Sequence, residues 1–597
     1  MTAKERIAAL RELMAEKGID IYYIPNEDDH LSDEYTADYF QCKTFMSGFT
    51  GDYGCVIITR DFAGLWTDGR HFTQAEHELE GSGIELMRMR QEGVPTAMEF
   101  LIANTPAGGR LGFDGRVVSA ANARQLAAAL KKKDAVMVMT EDLAGEIWGA
   151  ERPAMPAGKL FTMPKKYTGE SARERIARVR EKMQAKHADV LLLLKLEDPC
   201  WMLNIRGRDL NCTPVAYAFA MVTADEVFYY VDEKKVSAAV RRSLTAAKVA
   251  IRSYEAFGED LAALRDKVIW ADLNDLNAVY YSSLDSSNSV INAESPVLAY
   301  RAAKSAAEIE SLKNAHVKDG VAMVRFLYWL KQTIGKEPLD EVRIQNVLYG
   351  LRAEQDGYLM PSFPTICAYK GNAAMMHYTA TEQNYAEVQP EGFLLVDSGG
   401  TYVDGTTDIT RTIVLGPLTA DEKMYFTKVL KGMLALTRAK FLYGTTGNNL
   451  DILARGPLWD MDIDYQCGTG HGVGHVLSVH EGPQYIGWGF GRRRSAPLEP
   501  GMVTSNEPGV YLPHELGIRT ENELLVVKGT KNFYGQFLGF ETLTWVPIDL
   551  DAVDPDLLTA EEKEQLNQYH AAVYEKISPF LDRKEKAWLK QATRKIS

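Results

Sequence analysis

Apolar residues recur at helical spacing over residues 3–17 and again over 172–186, and each series runs into a short unbroken apolar stretch, 19–24 and 188–194. The pattern predicts an amphipathic helix followed by a buried strand, twice. The two copies also share residues. Glu5-Arg6-Ile7-Ala8 returns as Glu174-Arg175-Ile176-Ala177 at an offset of 169, where Arg11, Glu12, Met14, Lys17 and Asp20 also match Arg180, Glu181, Met183, Lys186 and Asp189. Two α/β domains in tandem are expected, with the Pro- and Gly-punctuated stretch 153–158 between them. The opening MTAKERIAALRELMAEKG breaks its apolar residues with charge, so it is read as the first helix and not as a secretory signal.

A second boundary falls near 293–303, and beyond it the pattern changes. Ser305 with Glu308 forms a capping box that opens a helix through about 333. The same box recurs at Thr419/Glu422, ahead of a helix to about 441, and at Thr559/Glu562 in the tail. Strand-like stretches lie between them: 393–396 ends at Asp397, 408–415 alternates and is rich in Thr, Ile and Val, and 523–527 follows Glu521. The third domain is therefore expected to be α+β. The expected division is 1–158, 159–301 and 302–597, the last with a C-terminal extension from about 531.

With 46% apolar and 25% charged residues, the 597-residue chain has the composition of a globular protein. No apolar run approaches the roughly 18 residues of a membrane span. A formal charge of −14 and the absence of a basic stripe argue against nucleic acid or an anionic membrane as partner. Arg492-Arg493-Arg494 is short and is read as a solvated loop. Six scattered cysteines without a CxxC pair fit a reduced, cytoplasmic compartment.

The chemistry concentrates in DSGGTYVDGTTD, HGVGH, NEPG and GIRTEN, which hold Asp397, Asp408, His471, Glu507 and Glu521. Four carboxylates with one imidazole suit a hard or borderline divalent ion; manganese is favoured, and zinc or cobalt could take the same ligands. Were the carboxylates to converge bare, each pair about 4 Å apart would repel by roughly 4 kcal/mol at an effective dielectric near 20. Two divalent cations would cancel the four charges and hold a water, the makings of a hydrolytic centre.

Asp397 and Asp408, 11 residues apart, suit neighbouring strands joined through a turn at Gly399-Gly400. An acid directly after Leu394-Leu395-Val396 is costly without a pairing charge or metal. His471 and His475 have the i, i+4 spacing of a zinc-binding helix. The glycines at 468, 470, 472 and 474 oppose that helix, and the acid of HExxH is missing. His471 is taken as the ligand and His475 as structural. His480, before Glu481-Gly482-Pro483, is placed to polarise a carbonyl or stabilise an oxyanion, although a lone histidine there, like His377 between Met376 and Tyr378, is commonly only hydrogen-bonded. Pro508-Gly509 would aim Glu507 inward, and Arg519 could pair with a ligand carboxylate.

DSGGTYVDGTTDITRT, GTGHGVGHVLSVHEGP and NEPGVY…GIRTEN resemble segments of the pita-bread metallopeptidases of family M24, and among them of the Xaa-Pro aminopeptidases (aminopeptidase P). SGFTGDYG (47–54) and WTDGRHF (66–72) resemble that family's creatinase-like N-terminal domain, and 537–570 resembles the C-terminal extension of its large three-domain cytosolic members. The resemblance implies two creatinase-like α/β domains before a pita-bread catalytic domain. It implies hydrolysis of the bond between an N-terminal residue and a following proline, in peptide substrates, by a homodimer. It also implies two divalent ions, with Asp397 on one, Asp408 and Glu521 bridging, and His471 and Glu507 on the other. Glu507 would double as general base. His377, His471 and His480 would contact substrate, as would Arg70 of WTDGR, which on its residues alone reads as a salt bridge to a nearby acid. The alternatives are prolidase, an Xaa-Pro dipeptidase, and a non-catalytic pita-bread binding module. One departure stands out: many relatives carry histidine four residues before the metal histidine, where this chain has Cys467. A thiol is smaller and donates less well than imidazolium, so that substrate contact loses its usual group.

Overall fold

Thr2 and Ser171 each open a 14-residue helix, Ala3–Glu16 and Ala172–Ala185, through complete capping boxes with Glu5 and Glu174. The strands that follow, Ile21–Ile24 and Val190–Leu193, keep the same offset. Each lies inside a six-stranded sheet. The first sheet runs Glu85–Arg88, Ala63–Thr67, Cys55–Thr59, Ile21–Ile24, Arg110–Gly112, Val136–Val138; the second runs Val249–Arg252, Val227–Val231, Ala218–Thr223, Val190–Leu193, Val268–Ala271, Ser289–Asn292. In both, the pairings read across the sheet are parallel, antiparallel, antiparallel, parallel, parallel. The sequence repeat is thus a duplicated fold.

This computed structural model describes residues 1–139, 141–488 and 495–597; the Arg492-Arg493-Arg494 run lies outside the described residues. The chain divides into two units. Met1–Met163, Glu170–Leu210 and Pro214–Val297 form one, which holds both six-stranded sheets, and Pro164–Gly169, Asn211–Thr213 and Leu298–Ser597 form the other. Among the described residues no helix is long and apolar enough to cross a membrane.

In the second unit all three capping boxes form, on helices Ala306–Thr333, Ala420–Thr437 and Ala560–Ile577. The middle helix stops at Thr437, short of the expected 441, because Phe441–Leu442 is a strand paired with Gly535–Thr542. Strand Phe393–Ser398 is the centre of a three-stranded antiparallel sheet with Ile366–Tyr369 and Ile409–Val414. Successive side chains of a strand face opposite ways. Leu394 and Val396 accordingly pack on Met323, Phe326, Leu327 and Leu330 of the long helix and on Ile344 and Leu348 of helix Glu341–Ala353. Each such full burial contributes roughly 1.5–3 kcal/mol. Phe393 and Leu395 join other clusters, and Asp397 shares their parity. The apolar face is braced by helices, which leaves the other face for chemistry. A second sheet, Phe441–Leu442, Gly535–Thr542, Asn522–Asn532 and Val503–Asn506, spans the expected start of the C-terminal extension, so that segment completes the sheet that begins beside Glu521.

Candidate metal centre

The five candidate ligands sit on or beside strands. Asp397 is the fifth residue of Phe393–Ser398, opposite Thr410, and Asp408 stands just ahead of Ile409–Val414. The connection between them is no simple turn at Gly399-Gly400. Gly400–Tyr402 and Gly405–Thr406 pair as a small hairpin whose tip is Val403-Asp404. Gly399 serves instead a close approach, since a Cβ there would collide with the Thr407 carbonyl oxygen. His471 ends the two-residue strand Gly470–His471, which pairs with Tyr485–Ile486, and the glycine-rich stretch forms no helix, as expected. Glu507 lies between Val503–Asn506 and Gly509–Leu512, and Glu521 between Leu516–Arg519 and Asn522–Asn532. Backbone bonds join these elements: Glu507 N–H donates to Thr469 O at 2.8 Å and Glu521 N–H to Thr410 O at 3.2 Å.

The ligating atoms of Asp397, Asp408 and Glu521 lie within 4.8 Å of one another, and so do those of His471, Glu507 and Glu521. These are two ligand sets that share Glu521. His471 Nε2 also stands 3.4 Å from Asp408 Oδ2 and 3.2 Å from Glu507 Oε1. His480 forms a further group with Asp408 and His471, its ring edge-on to that of His471 at 4.1 Å.

Four of the five candidates are tied to neighbouring protein by one side-chain atom. Arg519 Nη2 donates to Asp397 Oδ2 at 2.5 Å, Thr410 Oγ1 to Glu521 Oε2 at 2.6 Å, and Ser505 Oγ to Glu507 Oε1 at 2.9 Å. His471 Nδ1–H donates to Gly472 O at 2.9 Å, which fixes the tautomer that turns Nε2 inward. Asp397 Oδ1 and Glu521 Oε1 are buried without a hydrogen-bond partner among the described residues. A buried carboxyl oxygen left without a partner is expensive. An oxygen-rich set with two such oxygens and one inward imidazole nitrogen fits a pair of hard or borderline divalent cations.

Charge crowding shifts the acidities within the cage. Burial, reinforced by Asp397 and Glu507 and opposed by His471, pushes Asp408 up to about 7. Burial and then Asp408, Glu507 and Asp397 raise Glu521 well above the carboxylate range. For Glu507, burial is outweighed by His471 and Arg519, which bring it down to about 2. Burial alone would lower His471, but Asp408 and Glu507 override it and raise the ring well above its usual value.

Several supporting residues escaped the sequence reading. Asp408 N–H donates to Glu523 Oε1 at 2.6 Å, and Glu523 Oε2 stands 3.2 Å from His316 Nε2, both fully buried. Their signal was present: Glu521 and Glu523 are two apart where a strand begins, hence on one face. Glu341 pins the segment that carries His377. Its Oε1 accepts from Tyr369 N–H at 2.7 Å and its Oε2 from Tyr378 Oη at 2.8 Å and Ala386 N–H at 2.7 Å. His377 is half-buried on that segment, just beyond a strand paired with the Asp397 strand. His475 is buried, its Nε2 donating to Asp404 O at 3.2 Å. Cys467 is half-buried, and its carbonyl accepts from Arg455. Arg70 belongs to the other unit, where Nε and Nη2 fork onto Asp68 at 3.0 and 3.1 Å.

The sequence profile of metallopeptidase family M24 matches residues 310–528, and that of the C-terminal region of peptidase M24 matches 536–596. Two profiles of the creatinase/prolidase N-terminal domain match 6–144 and 151–308. Aminopeptidase P2 of Arabidopsis thaliana is 38% identical over 632 residues, covering 99% of this chain and 88% of its own. A probable Xaa-Pro aminopeptidase P of Laccaria bicolor is 38% identical, over 98% of this chain and 92% of its own. The chain belongs to the Xaa-Pro aminopeptidases of metallopeptidase family M24. Its architecture is the M24 one, creatinase-like domains followed by a pita-bread domain. The crystal structure of X-prolyl aminopeptidase from Caenorhabditis elegans, described as a cytosolic enzyme with a di-nuclear active site, matches with a TM-score of 0.94 at 33% identity over 100% of both chains. Xaa-Pro dipeptidase from Bacillus anthracis, at 24% identity and a TM-score of 0.50 over 64% of this chain, shares the fold.

In this M24 site Arg519 is the residue that neutralises Asp397 from outside the cage, bridging also to Thr410 and Tyr511. Arg519→Leu is expected to weaken divalent-metal binding at the candidate set of Asp397, Asp408 and Glu521 by about 10–100-fold, read by calorimetric titration of metal-free protein.

Proposed function

We propose that this chain is a dinuclear-metal aminopeptidase that hydrolyses the bond between an N-terminal residue and a following proline in peptides. The observation that carries the proposal is the convergence of Asp397, Asp408, His471, Glu507 and Glu521 into two ligand sets sharing Glu521. Asp397 would hold one ion, His471 and Glu507 the other, and Asp408 and Glu521 both. When bound, the ions supply Lewis-acid polarisation of the carbonyl and bring the pKa of a water toward roughly 7.

The side chains supply the rest. Glu507, held ionised beside His471, is placed to take the water's proton. The nitrogen of an Xaa-Pro bond is a tertiary amide that must be protonated to leave, and Glu507 is the group that can return the proton. His480, packed against His471, is placed to donate to the oxyanion, with His377 as a further substrate contact. Arg70 is assigned to the more distal part of longer peptides. Oxygen-rich ligation supports manganese as the native metal, with zinc or cobalt as substitutes. The proposed setting is a cytoplasmic homodimer, which size-exclusion chromatography with light scattering would test for assembly.

The deciding experiment is an assay on Xaa-Pro peptides of graded length after chelation and readdition of manganese. Turnover of Xaa-Pro-Xaa and longer peptides is expected; cleavage confined to the dipeptide would make the chain a prolidase. Elemental analysis near two metals per chain is expected, and none would favour a binding module. Arg70→Ala is expected to raise KM several-fold for longer peptides with little change in kcat; identical kinetics across the length series would return Arg70 to its pairing with Asp68.

A further inference from the structure

Directly after His480 stands a carboxylate that the reaction does not use. Glu481 is buried, and both its oxygens are taken by cations: Oε2 by Arg301 Nη1 at 2.9 Å and Oε1 by Lys304 Nζ at 2.8 Å. Arg301 stands in the last turn of helix Pro296–Ala302 and Lys304 in the link to helix Ala306–Thr333, and Lys304 N–H is itself bonded to Gly501 O at 2.9 Å. The clamp is therefore anchored in the frame of the unit.

From this anchor two bonds lead to the metal centre. Glu481 N–H donates to Gly472 O at 2.8 Å, and the same carbonyl accepts His471 Nδ1–H at 2.9 Å. The segment from Gly472 to Glu481 is thus a closed loop, bonded within by Gly474 N–H to Ser478 O at 3.0 Å. One end carries the imidazole of His471. The other carries His480, whose ring meets it edge-on at 4.1 Å.

We propose that Glu481 is a positioning residue: clamped by Arg301 and Lys304, it sets the Gly472 carbonyl, and through it the ring of His471 and the place of His480. The proposal rests on the metallopeptidase reading of the site. Without the carboxylate charge, two buried cations repel across the space that Glu481 separated. The loop end then loses its anchor, the Gly472 carbonyl is free to turn, and His471 Nε2 no longer holds its aim between Asp408 and Glu507. Metal held by His471 and turnover should fall together, while peptide binding that depends on other residues is spared.

The test uses full-length Glu481→Gln, Glu481→Asp and the pair Lys304→Met/Glu481→Gln, which removes one opposing cation with the carboxylate and protects against misfolding of the single variant. Metal-free protein is titrated with manganese by calorimetry, and kcat and KM are measured on an Xaa-Pro-Xaa tripeptide at saturating manganese. Glu481→Gln is expected to weaken one of two binding steps at least tenfold and to lower kcat at least tenfold, with KM within threefold. Glu481→Asp should recover part of both. The pair should fold and keep the defect. A folded Glu481→Gln or pair variant with both binding steps and kcat within twofold of wild type, or with a change in KM alone, overturns the clamp. Wild-type protein that binds no manganese and cleaves no tripeptide overturns the metallopeptidase reading, and the proposal with it.

Discussion

Glu507→Gln is expected to lower kcat by roughly 10³-fold, within the range for loss of a general acid–base group. The amide keeps the size and the Ser505 contact but removes two things at once. It takes one negative charge from the set shared by His471, Glu507 and Glu521, and it takes away a carboxylate that is held low, to about 2, and stands 3.2 Å from His471 Nε2. Asp397, Asp408 and Glu521 remain, so the variant should still bind metal on their side. The measurement is kcat on a tripeptide at saturating manganese, with metal content determined on the same sample. Wild-type turnover in a metal-replete variant would assign the proton transfer to another group.

Metal-free protein is expected to lose stability as pH rises from about 5.5 to 8, and metal is expected to reverse that slope. An acid whose pKa is higher folded than unfolded binds its proton more tightly in the folded state. Its penalty is absent below the unfolded value and grows until pH passes the folded one. Asp408 moves from 3.8 to about 7, so ionising it in the empty cage costs about 4 kcal/mol at pH 8. Glu521, also raised, acts in the same direction. His471 is raised too, so the stability it contributes is complete below its unfolded value and is lost as pH climbs through its folded one, again the same sign. Glu507 opposes only in strong acid, because a carboxylate lowered to about 2 contributes stability above its unfolded pKa and loses it as pH falls through about 2. Bound cations take the place of those protons, so affinity should rise with pH and binding should release protons. Melting curves with chelator and with manganese at pH 5.5, 7 and 8 check this. A metal-free protein that is most stable at pH 8 would show that the four carboxylates do not share one cage.

Much of this was legible in the chain. The 169-residue repeat stated the duplication of the six-stranded sheet because homologous helix caps and strand starts keep their spacing, Thr2/Glu5 against Ser171/Glu174. Capping boxes announced three helices of the second unit because the signal is local, a side chain reaching a backbone amide three residues on. The boundary that failed, at Thr437, failed for a non-local reason: the apolar residues after it belong to a strand whose partner lies about a hundred residues away. Gly399-Gly400 looked like a turn for the same reason, since only the folded hairpin brings Thr407 against Gly399.

The sequence by itself determined the candidate residue types, their order and most of the strands that present them, because an acid after an apolar run or a histidine among glycines has few inexpensive fates. Only the tertiary structure decided that Glu521 is common to two ligand sets, that Arg519 is spent on Asp397, and that Glu523 with His316 stands behind Asp408. Most of those relations join residues more than a hundred positions apart, as Arg519 with Asp397 and Glu523 with Asp408. They arise from strand pairing and side-chain direction, which a linear pattern encodes only through the whole fold.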